Sequence, residues 1–332
     1  MDDGWLTGPN NAITDVPGIR VGHVTDRRGK TGCTVVLCEE ARFAAVDARG
    51  GAPGTRETDV LAPANVVRTC HAVVFSGGSA FGLAAADGVM RWCSEHEIGF
   101  ATTRRRVPIV TGAVLYDLGV GDATAFPGAE AGYLAASRAK RGRVAEGSVG
   151  AGTGATVAKL LGPERALKGG VGTASVTGPR GLIAGALVVT NAAGSIFDPS
   201  TGAMVAGPRG DGGGLIPLAE TLARRTAQME ALLENTTLMC VATNATLDHH
   251  QVQRLAIQAH DGFARVVAPA HTFADGDVAF ALAMGGVEPR ADDALIAGAL
   301  AARAVEQALL RSVRLAKGTK AAPSAADWLA GG

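Results

Sequence analysis

Residues 234–244 read Glu-Asn-Thr-Thr-Leu-Met-Cys-Val-Ala-Thr-Asn. The part from Thr237 to Thr243 is apolar and β-branched with a threonine at each end, which predicts a buried strand. Before it, the apolar spacing over residues 215–233 predicts an amphipathic helix. Asn235 and Thr236 therefore fall where a helix stops and a strand starts, and both residue types are ordinary there. The pair also permits a chemistry of its own. A threonine hydroxyl held against the preceding carbonyl attacks it, the acyl group shifts from nitrogen to oxygen, and water hydrolyses the resulting ester. This leaves a threonine whose α-amine, titrating at about 7.7–8.0, serves as base for its own hydroxyl.

Outward from this segment, further Val-, Ile- and Ala-rich runs lie between glycine-bearing turns. Gly32–Leu37, His71–Phe75 and Leu182–Thr190 predict buried strands, and Ala80–His96, Ala129–Ala139, Leu247–His260 and Asp292–Leu315 carry a helical period. Strands and helices thus mix along the chain, and the helices suffice to cover both faces of stacked sheets. A layered α/β fold is expected.

Glycine is the unusual number: 46 of 332 residues, about double ordinary usage. Many stand in clusters such as Gly150-Ala151-Gly152-Thr153-Gly154, which lets backbone approach backbone closely. Hydrophobic residues at 47% and charged residues at 19% allow a sizeable core. The 31 basic and 31 acidic side chains balance, and only two Tyr and three Trp are present. That argues against a nucleic-acid groove, which needs basic clusters and stacking rings. Five cysteines at irregular spacings predict neither a disulfide framework nor a zinc knuckle. Without a signal peptide or an apolar run of roughly 18 residues, a cytoplasmic protein that binds no membrane is expected.

Other signals are weaker. Gly150 to Ala155 fits a dinucleotide fingerprint only nominally, because no clean strand precedes it and no acidic residue follows about 20 positions on. A tight backbone beside an active site is expected there instead. His249, His250 and His260 have no recognised ligand spacing, so no metal and no cofactor is expected. Gly77-Gly78-Ser79 lacks the GxSxG elbow, but its glycines are candidates to line a substrate pocket.

The chain resembles the self-processing aminopeptidases and amidases, which include the L-aminopeptidase/D-amidase/esterases, the β-peptidyl aminopeptidases and the 6-aminohexanoate-oligomer hydrolases. Nine blocks carry the resemblance in order: residues 11–26, 49–58, 75–88, 107–117, 147–154, 168–172, 188–191, 235–244 and 271–277. It implies a four-layer αββα sandwich of the N-terminal nucleophile hydrolase type. It also implies one catalytic domain that cuts itself into chains 1–235 and 236–332, with Thr236 as nucleophile. The Asn-Thr junction is the nylon-oligomer type; other members use Gly-Ser. Position by position, Tyr116, Lys159 and Asn191 match residues that line the family's active site, and Asp275 and Asp277 match a pair close to the nucleophile. Lys168 rivals Lys159, since it also stands in a matching block. In these roles Asn191 would donate to an oxyanion, and Lys159 would lower the pKa of the Thr236 amine. Tyr116 would donate to the oxyanion or the substrate, and the two aspartates would orient Thr236. The implied substrates are small molecules or short peptides with a free amine, and a homo-oligomer of cut protomers is expected. Two alternatives stand beside this: an acyltransferase resembling the ornithine acetyltransferases, and an unprocessed small-molecule binding protein on the same scaffold.

Overall fold

A computed structural model describes residues 4–39, 41–225 and 234–331. Eleven strands build its two main sheets: β1 (Leu6–Thr7), β2 (Arg20–Asp26), β3 (Thr31–Leu37), β4 (Phe43–Ala48), β5 (Gly54–Arg56), β6 (Ala72–Ser76), β7 (Val110–Val114), β8 (Gly170–Thr177), β9 (Ile183–Asn191), β10 (Thr236–Thr243) and β11 (Val278–Ala283). One sheet runs β1-β8-β9-β10-β11-β4 and the other β2-β3-β6-β7-β5. Pairing is antiparallel except between β10 and β11 and between β6 and β7.

Four helices of nine or more residues clothe the sheets: α1 (Ala85–Glu95), α2 (Ala129–Ser137), α3 (His249–Val266) and α4 (Asp293–Arg314). The layers follow from which side chains are apolar. Every residue of β9 and of β10 is buried, the mark of strands covered on both faces. Successive side chains on a strand point to opposite faces, and the packing obeys this. Leu238, Cys240 and Ala242 join Leu187, Val189 and Phe280 in a core shared with the second sheet, through Val36, Val73 and Phe75. Met239 and Val241 join Ala186, Val188 and Ala281 in a core roofed by α3 and α4. A third core lies between the second sheet and α1 and α2, around Val35, Val74, Val89 and Trp92. Three apolar interlayer spaces make four layers, αββα, as the resemblance implies.

The expected strands fall within one residue of the observed ones. Three helices differ from expectation. The segment starting at Ala80 winds first as a 3-10 turn, Ser79–Ala84, in which Gly82 lies against the Gly77 carbonyl, where a Cβ would come within 1.8 Å. The helix expected to stop at His260 continues to Val266, burying Gly262, Phe263 and Val266. The helix expected over 215–233 begins only at Leu218 and ends at Arg224, with Arg225 extended, while residues 226–233 lie outside the described part. Among the described residues no helix is long and apolar enough to cross a membrane.

Candidate active site

The register of two central strands builds the site. Asn191, the last residue of β9, pairs with Thr236, the first of β10. Each stands two positions beyond a residue of the inter-sheet core, Val189 and Leu238, so both lie on the strand face turned toward the second sheet. Asn191 is fully buried and Thr236 is 5% exposed.

The Thr236 hydroxyl donates to the carbonyl oxygen of Asn235 at 2.5 Å. The backbone N–H of Gly276 donates to that same oxygen at 2.8 Å, since Asn235 and Asp275 are bridged side by side. A Cβ on residue 276 would lie 2.7 Å from Thr236 Oγ1 and 2.7 Å from the Ala52 carbonyl oxygen, so only glycine brings its amide this close. One peptide earlier, the Glu234 carbonyl accepts from Asn191 Nδ2 at 3.0 Å and from Lys159 Nζ at 3.1 Å. Lys159 also donates to Asn191 Oδ1 at 3.0 Å and to the Asn191 carbonyl at 3.1 Å. The Thr156 N–H meets Asn191 Oδ1 at 2.9 Å, which orients the amide with its NH₂ toward Glu234. Two consecutive carbonyls before Thr236 are therefore each held by two donors.

The charges of the site are buried. Burial pulls Lys159 down to about 7, opposed by the carboxylates of Asp275, Glu234 and Asp117. Asp275 is raised by burial and by the neighbouring Asp277 charge; it accepts from the Ala193 N–H at 3.3 Å and from the N–H and hydroxyl of Thr272. Asp277 Oδ1 accepts the Thr237 N–H at 2.7 Å, and its Oδ2 faces His271. Tyr116 is half-buried; burial and the adjacent Glu234 carboxylate push its phenol up.

A cavity of about 120 Å³ opens beside these groups, lined by Tyr116, Asp117, Thr156, Lys159, Pro163 and Glu234 among others. Asp117 is raised to about 6 by burial. Gly77, Gly78 and Ser79 stand behind Asp117 rather than on the cavity wall. The Gly78 N–H donates to Asp117 Oδ1 at 2.7 Å, a Cβ at Gly77 would come 2.2 Å from Asp117 Oδ2, and Ser79 is tied to the Leu115 carbonyl. Lys168 is also set back: it is fully buried with its ammonium on the carbonyls of Gly152, Ala155 and Gly169. Tyr116, Lys159, Asn191, Asn235, Thr236, Asp275 and Asp277 thus come together, whereas Lys168 braces the glycine-rich turn.

Three contributors escaped sequence reasoning. The Gly276 amide and the Thr156 amide are backbone donors, which no side-chain pattern reveals. His271 stands in the same HTFADGD run as the two aspartates, and its place in that run was the one available signal.

Comparison with known proteins gives the family and the fold. The model of peptidase family S58 matches residues 11–325. An uncharacterised aminopeptidase of Mycobacterium leprae is 47% identical, over 86% of this chain and 82% of its own length. A 6-aminohexanoate-oligomer endohydrolase of Paenarthrobacter ureafaciens is 29% identical, over 83% of this chain and 76% of its own. The solved structure of the L-aminopeptidase D-Ala-esterase/amidase of Ochrobactrum anthropi, described as a variant of the Ntn hydrolase fold, superposes with a TM-score of 0.71 at 24% identity, covering 96% of this chain and 92% of that one. It has the same fold.

Proposed function

Because this chain belongs to peptidase family S58 and is a hydrolase of peptide and amide bonds, we propose that it first hydrolyses itself between Asn235 and Thr236. The observation that carries this reading is the Asn235 carbonyl oxygen, which receives the Thr236 hydroxyl at 2.5 Å and the Gly276 amide at 2.8 Å. Thr236 Oγ1 attacks the Asn235 carbonyl carbon, and its proton passes to the leaving Thr236 nitrogen as the C–N bond breaks. The negative charge that gathers on the carbonyl oxygen faces the Gly276 N–H, a donor already in place and worth about 3 kcal/mol in comparable oxyanion sites. Water then splits the Asn235 ester, returning the hydroxyl and leaving a carboxylate.

Cleavage releases Asn191 Nδ2 and Lys159 Nζ from the Glu234 carbonyl that occupies them in the whole chain. In the mature enzyme these donors serve an incoming amide. Thr236 attacks that amide with its own α-amine as base, the amine product departs, and water hydrolyses the acyl-enzyme ester. Lys159, with its pKa drawn down to about 7, adds little fixed positive charge at pH 8. Small amides and short peptides bearing a free amine are the substrates this reading favours, in keeping with the names of the aminopeptidase and oligomer-hydrolase relatives.

Denaturing electrophoresis tests the first step. Purified protein should separate into fragments of about 24 and 10 kDa, in proportion to residues 1–235 and 236–332, with the smaller beginning Thr-Thr-Leu-Met. Thr236→Ala should stay whole and lose amide hydrolysis by at least a thousandfold. A variant that still splits at the same bond removes Thr236 from the role. Release of the acyl group to added amines in preference to water would favour the acyltransferase alternative.

A further inference from the structure

We propose that His271 is a positioning residue for the reaction, acting through Asp277 on the backbone of the nucleophile's strand; this rests on Thr236 being the nucleophile. Asp277 is fully buried and its two oxygens are divided between two tasks. Oδ1 takes the N–H of Thr237, the first peptide after the nucleophile, at 2.7 Å. Oδ2 takes His271 twice, from its backbone N–H at 3.3 Å and from ring Nδ1 at 3.0 Å. A carboxylate only accepts, so Nδ1 carries the proton and the ring donates. Rotation of the Asp277 carboxylate would break the Thr237 bond, and the His271 ring blocks that rotation.

The ring is itself held. His260 meets it edge-on with centroids 4.7 Å apart, and Phe263 packs on it at 4.9 Å. Both project from α3. His260 is in turn fixed by its Nε2, 3.0 Å from the Asp47 carbonyl oxygen of β4. Burial draws the His260 pKa down to about 4, so it meets His271 as a neutral ring. His271 also occupies the left-handed region at φ 51, which histidine, like asparagine, enters more readily than most residues. A ring wedged by two others and a double grip on one oxygen are more than packing requires; together they fix the pose of Thr236 through one hydrogen bond to its neighbour. Small displacements of a reacting group cost rate steeply, so the clamp should register in the chemical step.

The test compares His271→Ala, His271→Asn and His271→Gln in the full chain. Asparagine places an amide N–H where Nδ1 stands and tolerates the positive φ; glutamine places its amide where Nε2 stands and misses Asp277. Self-cleavage is timed on gels, and kcat and KM of the mature protein are measured on an amino-acyl p-nitroanilide. His271→Ala and His271→Gln should slow both self-cleavage and kcat by about 10- to 100-fold with KM within a factor of two, and His271→Asn should recover to within about threefold of the wild type. If alanine does not fold, the asparagine–glutamine contrast decides alone. Equal rates in all three variants overturn the proposal, as does an asparagine variant no better than glutamine. In either case a wild type that is cut and active keeps the nucleophile, whereas a wild type that stays whole and inactive removes the nucleophile itself.

Discussion

Lys168 shows how much a single buried charge can weigh. It is surrounded by protein, its three N–H groups are spent on the carbonyls of Gly152, Ala155 and Gly169, and burial pulls its pKa from 10.5 to about 7 with Asp117 opposing. Between those two values the unfolded chain binds the proton and the folded chain does not, so stability rises with pH across that window. Below pH 7 both states are protonated and the slope from this group vanishes. Buried thiols act in the opposite sense: Cys33 and Cys93 are raised to about 12, so above about pH 8.5 the unfolded chain sheds thiol protons first and stability falls. Urea unfolding of the uncut Thr236→Ala chain between pH 7 and 8.5 should therefore show a positive slope. Adding Lys168→Met should reduce it by up to about 1.4 kcal/mol per pH unit; an unchanged slope would mean that Lys168 is not held down. Sequence alone left Lys159 and Lys168 as rivals, the first matched by position and the second standing in a matching block. What separates them is which carbonyls each reaches, and that depends on how β9 and β10 pair with the loops around them.

Secondary-structure elements here are fitted at unusually short range, and glycine is the means. Helices α3 and α4 pack along each other over the outer face of the larger sheet, with Gly262 of α3 against the Ala302 carbonyl of α4, where a Cβ would come within 2.2 Å. Gly262→Ala forces the helices apart. With backbone only 2.2 Å away, overpacking falls in the upper part of its usual range, about 2–3 kcal/mol, and the gain in helix propensity returns up to about 1, so a net loss of about 1–2 kcal/mol is expected. The midpoint of urea denaturation measures it; a variant as stable as its parent would mean that the helices adjust freely. At this level much was legible. The runs that became β3, β6, β9 and β10 are apolar on both faces, and a strand sandwiched between layers leaves that trace in sequence. The 3-10 turn before α1 left none, because the close approach of Gly82 to the Gly77 carbonyl is a tertiary contact that residue types along the chain do not express.

For the molecule entire, the proposed cut falls at the edge of the most deeply shared strand. All eight residues of β10 pair with β9, and six of them pair with β11 on the other side. Strand β9 lies before the bond and β10 after it, so the six-stranded sheet needs both products. The two fragments should co-elute on gel filtration under native conditions and separate only in denaturant. Dissociation in plain buffer would mean that the sheet does not hold them. The same pairing sets the surroundings of the proposed bond: the first residue of β10 lies opposite Asn191 and next to the Asp275–Asp277 turn, on the face where the two sheets meet.

Taken by itself, the amino-acid order determined the layered α/β class, the central strands, the Asn-Thr junction and, through nine blocks of resemblance, the side chains gathered round it. These are properties of local period and residue type, which neighbours along the chain suffice to express. Tertiary structure alone decided which lysine reaches Asn191 and the Glu234 carbonyl, that the Gly276 amide reaches the Asn235 carbonyl, and that His271 grips Asp277. Those contacts join backbone and side-chain atoms through strand register and helix packing, and a shift of one residue in the β9–β10 pairing would turn Asn191 away from Thr236 without altering a letter of the sequence.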